Sequence, residues 1–410
     1  MHIAHFTNTY HPVTSGVVRS VSSFRQALTA LGHNVFIFAQ TDRAYEDTEP
    51  FVFRYPAVQL PLQEYPLTIP VSNFVDTLLP SLKLDVIHAH HPALLGQVAA
   101  KKANALDVPL VFTHHTRYRE YSHYAFALPQ GLAKQVIERW IGDYMSHCQH
   151  VVVPSESIKE ILTETYGVTQ GISVLPTGID VAQYQKAEAG NIRQQRGWAE
   201  DDTILISVGR LAKEKNFETL ITAVAPVIQK HPHVRLVILG EGEERAGLEA
   251  LAEELGVADR VNLIGTIPFD EVPNYLKAAD IFCFASVTET QGLVTLEAMA
   301  TGLPVVAVDA TGTRDAVHDG QEGLLTPNEP EPLTAALEKM IEDAEMRQKM
   351  AETAVHKAYE FDIQKLAKRL VQVYEEAIEA RKAGFHIHTD VQKPIFSLDW
   401  RQLLDVDTGS

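Results

Sequence analysis

Short apolar runs alternate with helical patterns along nearly the whole chain, and they do so in two successive series. HIAHF, NVFIFA, DVIHAH, PLVFTH, HVVVP and ISVLP make up the first, and TILISVG, VRLVILG, RVNLIG, DIFCFA, PVVAV and GLLTP the second. Apolar runs of this length bounded by turn residues read as buried strands. The intervening segments, such as VRSVSSFRQALTALG and PALLGQVAAKKANAL, carry a helical period. Strand, helix and strand in repetition predict a parallel sheet with helices on both faces. Two series therefore predict an α/β chain of two doubly wound, Rossmann-like domains facing an interdomain cleft, since open sheets bind ligands at the carboxyl ends of their strands. The boundary falls near residue 180, in a polar stretch from Gly178 to Gly197 that reads as a linker. This gives domains of 1–180 and 181–361, a helical pattern over 362–384 and a tail over 385–410. Tyr55 to Pro70, rich in proline, reads as an extended loop.

A chain of 410 residues with 45% hydrophobic and 21% charged residues has material for two such cores. No apolar run reaches the length of a membrane span, and MHIAHFTNTY reads as a first strand rather than a signal peptide. The two cysteines, Cys148 and Cys283, sit in apolar patterns, as reduced core thiols of a cytoplasmic protein do. Met1 to Gly178 holds 12 basic and 14 acidic residues and the remainder 23 and 39, so most of the net charge of −18 lies in the second half. That excess argues against a nucleic-acid partner. The near-neutral first half leaves open peripheral contact with a lipid surface, which for a cytoplasmic protein is the inner membrane surface.

Chemistry-bearing residues gather at predicted strand ends. TETQGLVTLEAM places Glu289 in the loop after a buried strand and Glu297 about a turn into the next helix, with Gly292 between them. Free amides and a positive dipole end at such a helix start, with a glycine that admits close approach, suit a phosphate-bearing polyol. Such pairs also occur on solvated helix faces. Strand TILISVG delivers Arg210 and then Lys215 into a turn, a fork and a point charge that together can clamp a diphosphate; the alternative is a solvated basic loop. Gly16 opens a helix after the first strand without a dinucleotide or Walker fingerprint, either as a tight turn or as a ligand-approaching amide. His114 and His115 follow PLVFT, and His88, His90 and His91 end another strand. These three suggest zinc only weakly, with no cysteine partner or HExxH pattern, and a hydrogen bond from one histidine to a sugar is the better reading. Leu132, Val136, Trp140 and Tyr144 share one helical face, read as core packing, with partial membrane insertion the alternative. Asp405 and Asp407 in the tail are a weak metal-binding pair.

Together TSGVV (Thr14–Val18), PTGID (Pro176–Asp180), GRLAKEKN (Gly209–Asn216), GEGEE (Gly240–Glu244) and TETQGLVTLEAM resemble the retaining GT-B glycosyltransferases, which include glycogen synthases and bacterial phosphatidylinositol mannosyltransferases. HTRYREYSHY (His115–Tyr124), SGVVRSV and GRLAKEKN are similar to the bacterial diacylglycerol glucosyltransferases. The resemblance implies transfer of a hexose, glucose from UDP-glucose, to a diacylglycerol-like lipid, with retention and without a metal or cofactor. The same transfer to a soluble acceptor, or sugar-nucleotide binding without turnover, are its alternatives. It implies that Arg210 and Lys215 hold the donor diphosphate, and that Glu297 accepts from the ribose. Glu289 is implied to contact the transferred sugar, with Gly292, Leu293 and Val294 offering amides to sugar and phosphate. Gly16 approaches the donor and His115 lies beside the transferred sugar, while Tyr118, Tyr121 and Trp140 are acceptor-side candidates. The helix of 362–384 is implied to cross back to the first domain.

Overall fold

The computed structural model describes residues 1–13, 15–42, 45–58, 67–115 and 130–390. Thr14, Tyr118, Tyr121, Asp405 and Asp407 lie outside them. The chain divides into two compact units, Met1–Leu175 with Ala367–Ser410, and Pro176–Leu366.

Among the described residues the first unit carries nine strands: β1 (His2–Thr7), β2 (Asn34–Gln40), β3 (Val52–Tyr55), β4 (Ala57–Val58), β5 (Leu67–Thr68), β6 (Val86–Ala89), β7 (Leu110–Thr113), β8 (His150–Val153) and β9 (Ile172–Val174). Seven form one parallel sheet in the order β3-β2-β1-β6-β7-β8-β9, and β4 and β5 pair antiparallel. The strand order reverses between β1 and β6. β6 and β7 are buried at every position, as in a sheet covered on both faces. The helix Gly16–Ala30 shows why its sequence is helical. Val18, Val21, Phe24 and Leu28 recur at helical spacing and are buried, and Ser15 caps the start by accepting from the Val18 amide at 3.3 Å. Fully burying each such aliphatic or aromatic side chain contributes roughly 2 kcal/mol.

The second unit holds β10 (Thr203–Val208), β11 (Val234–Leu239), β12 (Val261–Gly265), β13 (Ile281–Phe284), β14 (Val305–Val308) and β15 (Gly323–Thr326), in the order β12-β11-β10-β13-β14-β15, again parallel throughout. Its order reverses between β10 and β13. One hydrophobic cluster covers each face of this sheet: Leu205, Leu220 and Val224 belong to one, Ile204, Phe282 and Leu296 to the other.

Two expectations change. The stretch read as a linker lies inside the second unit and folds into two short helices, Val181–Gln185 and Ile192–Arg196. Asp180 caps the first by accepting from the Gln183 amide, and Val181, Tyr184 and Trp198 bury against the sheet. The Tyr55–Pro70 stretch is not wholly loop: Tyr55 ends β3, and Ala57–Val58 pairs with Leu67–Thr68. In the helix Gln130–Met145, Ile141, Tyr144 and Met145 are buried in the first core and Trp140 packs partly against it, so the Trp140–Tyr144 end of the predicted face is core while Val136 is 37% exposed. No helix among the described residues is long and apolar enough to cross a membrane.

Candidate functional site

In each unit the chemistry-bearing residues sit where the strand order reverses. In the second unit β10 ends at Val208 and leads through Gly209 into Arg210 to Asn216, and β13 ends at Phe284 and is followed by Ala285 and Ser286. Lys215 Nζ donates to Glu289 Oε1, and Ser286 Oγ donates to the same oxygen at 3.0 Å. Both side chains of the Lys215–Glu289 pair keep some solvent contact, 22% and 18%. Asn216, in left-handed conformation, pins this loop by donating to the Ala285 carbonyl at 3.1 Å and to Asn328 Oδ1 at 2.7 Å. Arg210 turns to Glu214 instead, at 2.7 Å, with its side chain 49% exposed. Burial alone would raise the Glu214 pKa, but a backbone hydrogen bond and Arg210 outweigh it and hold that carboxyl below its ordinary value. The expected pair of Arg210 and Lys215 is thus a lysine tied to Glu289 and a half-exposed arginine tied to Glu214.

The loop from Glu289 to Gly292 is fixed by contacts that have no local sequence signature. The buried Gln291 side chain accepts from the Thr177 amide and donates to the Thr177 carbonyl, both at 2.7 Å. A Cβ at Gly312 would stand 2.7 Å from Gln291 N and from Glu289 O, so only glycine lets that segment pass. Gly292, at φ 69°, then caps the helix Leu293–Thr301, whose start has no side-chain cap. Its first-turn amides, those of Leu293 and Val294 among them, and its positive dipole end are offered to an anion. Glu297 is 1% exposed inside the same helix, an environment unlike that of Glu289. The GEGEE motif is explained by packing: a Cβ at Gly240 would lie 1.8 Å from the Gly209 carbonyl oxygen.

The first unit has a different lining. His5 on β1 pairs in register with His88 on β6, and His90 and His115 follow β6 and β7. His5 Nδ1 lies 2.7 Å from His90 Nε2, and His90 Nδ1 lies 2.9 Å from His115 Nε2. Burial is the first cause that lowers every one of these pKa values, to about 3 for His5 and for His115, and well below the ordinary value for His88 and His90. The imidazoles are neutral. Among the described residues, His5, His88 and His90 are the group whose ligand atoms lie close enough to share a metal, within 4.8 Å. His91 does not join them; its Nδ1 accepts from the Asn8 amide at 3.1 Å. His5 was not singled out from sequence, since only the sheet brings it beside His88; its signal is a histidine inside an apolar strand. Gly16 is the first residue of its helix, and a Cβ there would meet nothing within 4 Å.

The family described as glycosyl transferases group 1 matches residues 188–357, and that described as glycosyltransferase family 4 matches residues 14–183. The chain is 31% identical over 387 residues to the alpha-monoglucosyldiacylglycerol synthase of Streptococcus pneumoniae, covering 92% of this chain and 86% of that protein. It is 31% identical over 331 residues to the D-inositol 3-phosphate glycosyltransferase of Nocardia farcinica, covering 78% and 72%. Among solved structures, Anabaena HepE in complex with UDP and glucose aligns with a TM-score of 0.74 at 21% identity, covering 92% of this chain and 99% of that one. Parallel sheets that each reverse order at a residue cluster, both family matches and a relative spanning nearly the whole chain agree: this chain belongs to the group 1 glycosyltransferases of GT-B fold, and it is an enzyme that transfers a glycosyl group.

Proposed function

We propose that the enzyme moves glucose from UDP-glucose to a diacylglycerol-like acceptor with retention of configuration. The observation that carries this reading is Lys215 held on Glu289 beside the uncapped start of Leu293–Thr301. A cation, an amide-rich helix start and a carboxylate within one short loop suit a diphosphate joined to a polyhydroxylated sugar. In this reading Lys215, Arg210 and the Leu293 and Val294 amides stabilise the charge that grows on the departing diphosphate. Glu289 orients the sugar and favours its oxocarbenium character, while Glu297 accepts from the ribose. Gly16 leaves room for the donor, and His115 hydrogen-bonds the transferred sugar. A front-face path, in which a donor phosphate oxygen takes the acceptor's proton, needs no enzymic nucleophile and no metal.

The lipid acceptor is supported by the Streptococcus pneumoniae relative, whose name is that of a monoglucosyldiacylglycerol synthase. It is also supported by large apolar side chains that the first unit exposes in one stretch: Phe51, Val58, Ile69, Val71 and Phe74. A soluble acceptor is the second reading, favoured by the inositol-phosphate relative and by the first half's lack of net positive charge. A screen of nucleotide sugars against lipid and soluble acceptors, with product mass and anomeric configuration by NMR, tests both. Turnover with diacylglycerol to an α-linked product is expected. Transfer only to soluble acceptors sinks the lipid reading, and an initial β-linked product sinks retention.

A further inference from the structure

Three buried histidines of the first unit, His5, His88 and His90, join the half-buried His115 in one hydrogen-bonded chain whose direction the protein itself determines. Thr113 Oγ1 lies 2.6 Å from His88 Nε2, and His88 Nδ1 lies 2.8 Å from the Tyr374 hydroxyl. That hydroxyl is 3.4 Å from His5 Nε2. His5 Nδ1 continues to His90 Nε2, and His90 Nδ1 to His115 Nε2. Thr113, His88, Tyr374, His5 and His90 are all buried.

A neutral imidazole has one N–H and one lone pair, so a ring engaged through both nitrogens passes direction along the chain. Among the described residues, His88 Nε2 is the partner of the Thr113 hydroxyl. A buried hydroxyl proton left without an acceptor costs about 1–3 kcal/mol, so Thr113 donates. His88 then carries its proton on Nδ1 and donates to Tyr374, whose own proton goes to His5 Nε2. His5 donates from Nδ1 to His90, and His90 donates from Nδ1 to His115 Nε2. We propose that this wire fixes His115 as the Nδ1–H tautomer, and that Thr113 and Tyr374 are positioning residues that act through it. Resting on the reading that His115 contacts the transferred sugar, the wire makes its remaining ring atom an obligatory donor, suited to a sugar oxygen. A metal on His5, His88 and His90 would have to break at least two of these links.

The test is two-bond 1H–15N spectroscopy of the full chain labelled at histidine, with His115 assigned through His115→Gln. Wild type is expected to show Nδ1–H at His115. Thr113→Val removes the donor that sets direction and Tyr374→Phe cuts the wire. Each should mix the His115 tautomers and lower kcat at least about fivefold with little change in donor KM, and Thr113→Ser should restore both. An Nε2–H signature in wild type, an unchanged signature in both folded variants, or stoichiometric zinc in the purified protein overturns the proposal. Full activity of His115→Ala with the wild-type signature as expected removes the sugar contact and leaves the tautomer assignment standing.

Discussion

The two sheets reverse their strand order at equivalent places but line those places with opposite chemistry. Between β1 and β6 lie neutral, buried imidazoles joined to each other. Between β10 and β13 lie Lys215, Glu289 and the Arg210–Glu214 pair, all partly exposed. The same topology thus offers uncharged, oriented hydrogen-bond partners in one unit and partly exposed charge in the other. A sugar needs the first, because hydroxyls are read by direction; a diphosphate needs the second, because a growing negative charge is stabilised by cations and amides.

The largest expected effect breaks the charged side. Lys215→Ala removes the cation and leaves Glu289 without its ammonium, and transfer should fall at least tenfold, about 1.4 kcal/mol of transition-state stabilisation. Steady-state kinetics checks this, and unchanged kcat/KM would remove Lys215 from the donor site.

Acid should separate the two units next. Burial holds His5 and His115 at about 3 and His91, His114 and His150 at about 4. Once unfolded, each takes up a proton near pH 6.5. Between these values the unfolded state binds more protons, so the stability of the first unit is fully present above about pH 6.5 and is lost as pH falls towards 4. None of the second unit's histidines, His231, His233, His318 and His356, is buried. Hydrogen exchange followed from pH 7 to 4 should therefore show amides of β1, β6 and β7 losing protection before those of β10 and β13. The reverse order would contradict neutral burial of the cluster.

A smaller effect is expected at Gly16, where the protein itself leaves space. Gly16→Ala should fold with an equal or slightly higher Tm, since Ala is a better helix former than glycine and its Cβ meets nothing within 4 Å. Donor KM should nevertheless rise several-fold if the donor approaches that amide. Equal KM values would leave Gly16 as a turn residue only.

Legibility from sequence follows the range of the contacts involved. The buried strands could be read because burial on both faces leaves short, mostly apolar runs, as in β6, β7 and β13. β3 was hidden by half-buried residues followed by prolines, and Val181–Gln185 by its shortness. Lys215 and Glu289 were visible because each stands in the loop after a recognisable strand, and Glu297 because it lies in the helix that this loop opens. The wire was not: His88 and Tyr374 are 286 positions apart, and His5 and His90 are 85 apart. Gly312 was missed for the same reason, since the backbone it admits is that of Glu289 to Gln291.

The smallest expected effect concerns a surface rather than a site, and it asks whether the units differ in their environment as well. Val71 and Phe74 are 62% and 66% exposed, the most exposed large apolar side chains among the described residues. Each apolar side chain that leaves water for a lipid interface contributes on the order of 1 kcal/mol, so a handful are needed for measurable binding. Val71→Glu with Phe74→Glu puts two charges there without touching either strand-order reversal. Flotation with liposomes should weaken several-fold, while turnover of a detergent-dispersed acceptor stays within about twofold. A loss of both would mean that the stretch supports the fold of the first unit. Unchanged flotation would mean that the protein meets lipid, if it does, through another surface, and the soluble-acceptor reading would gain.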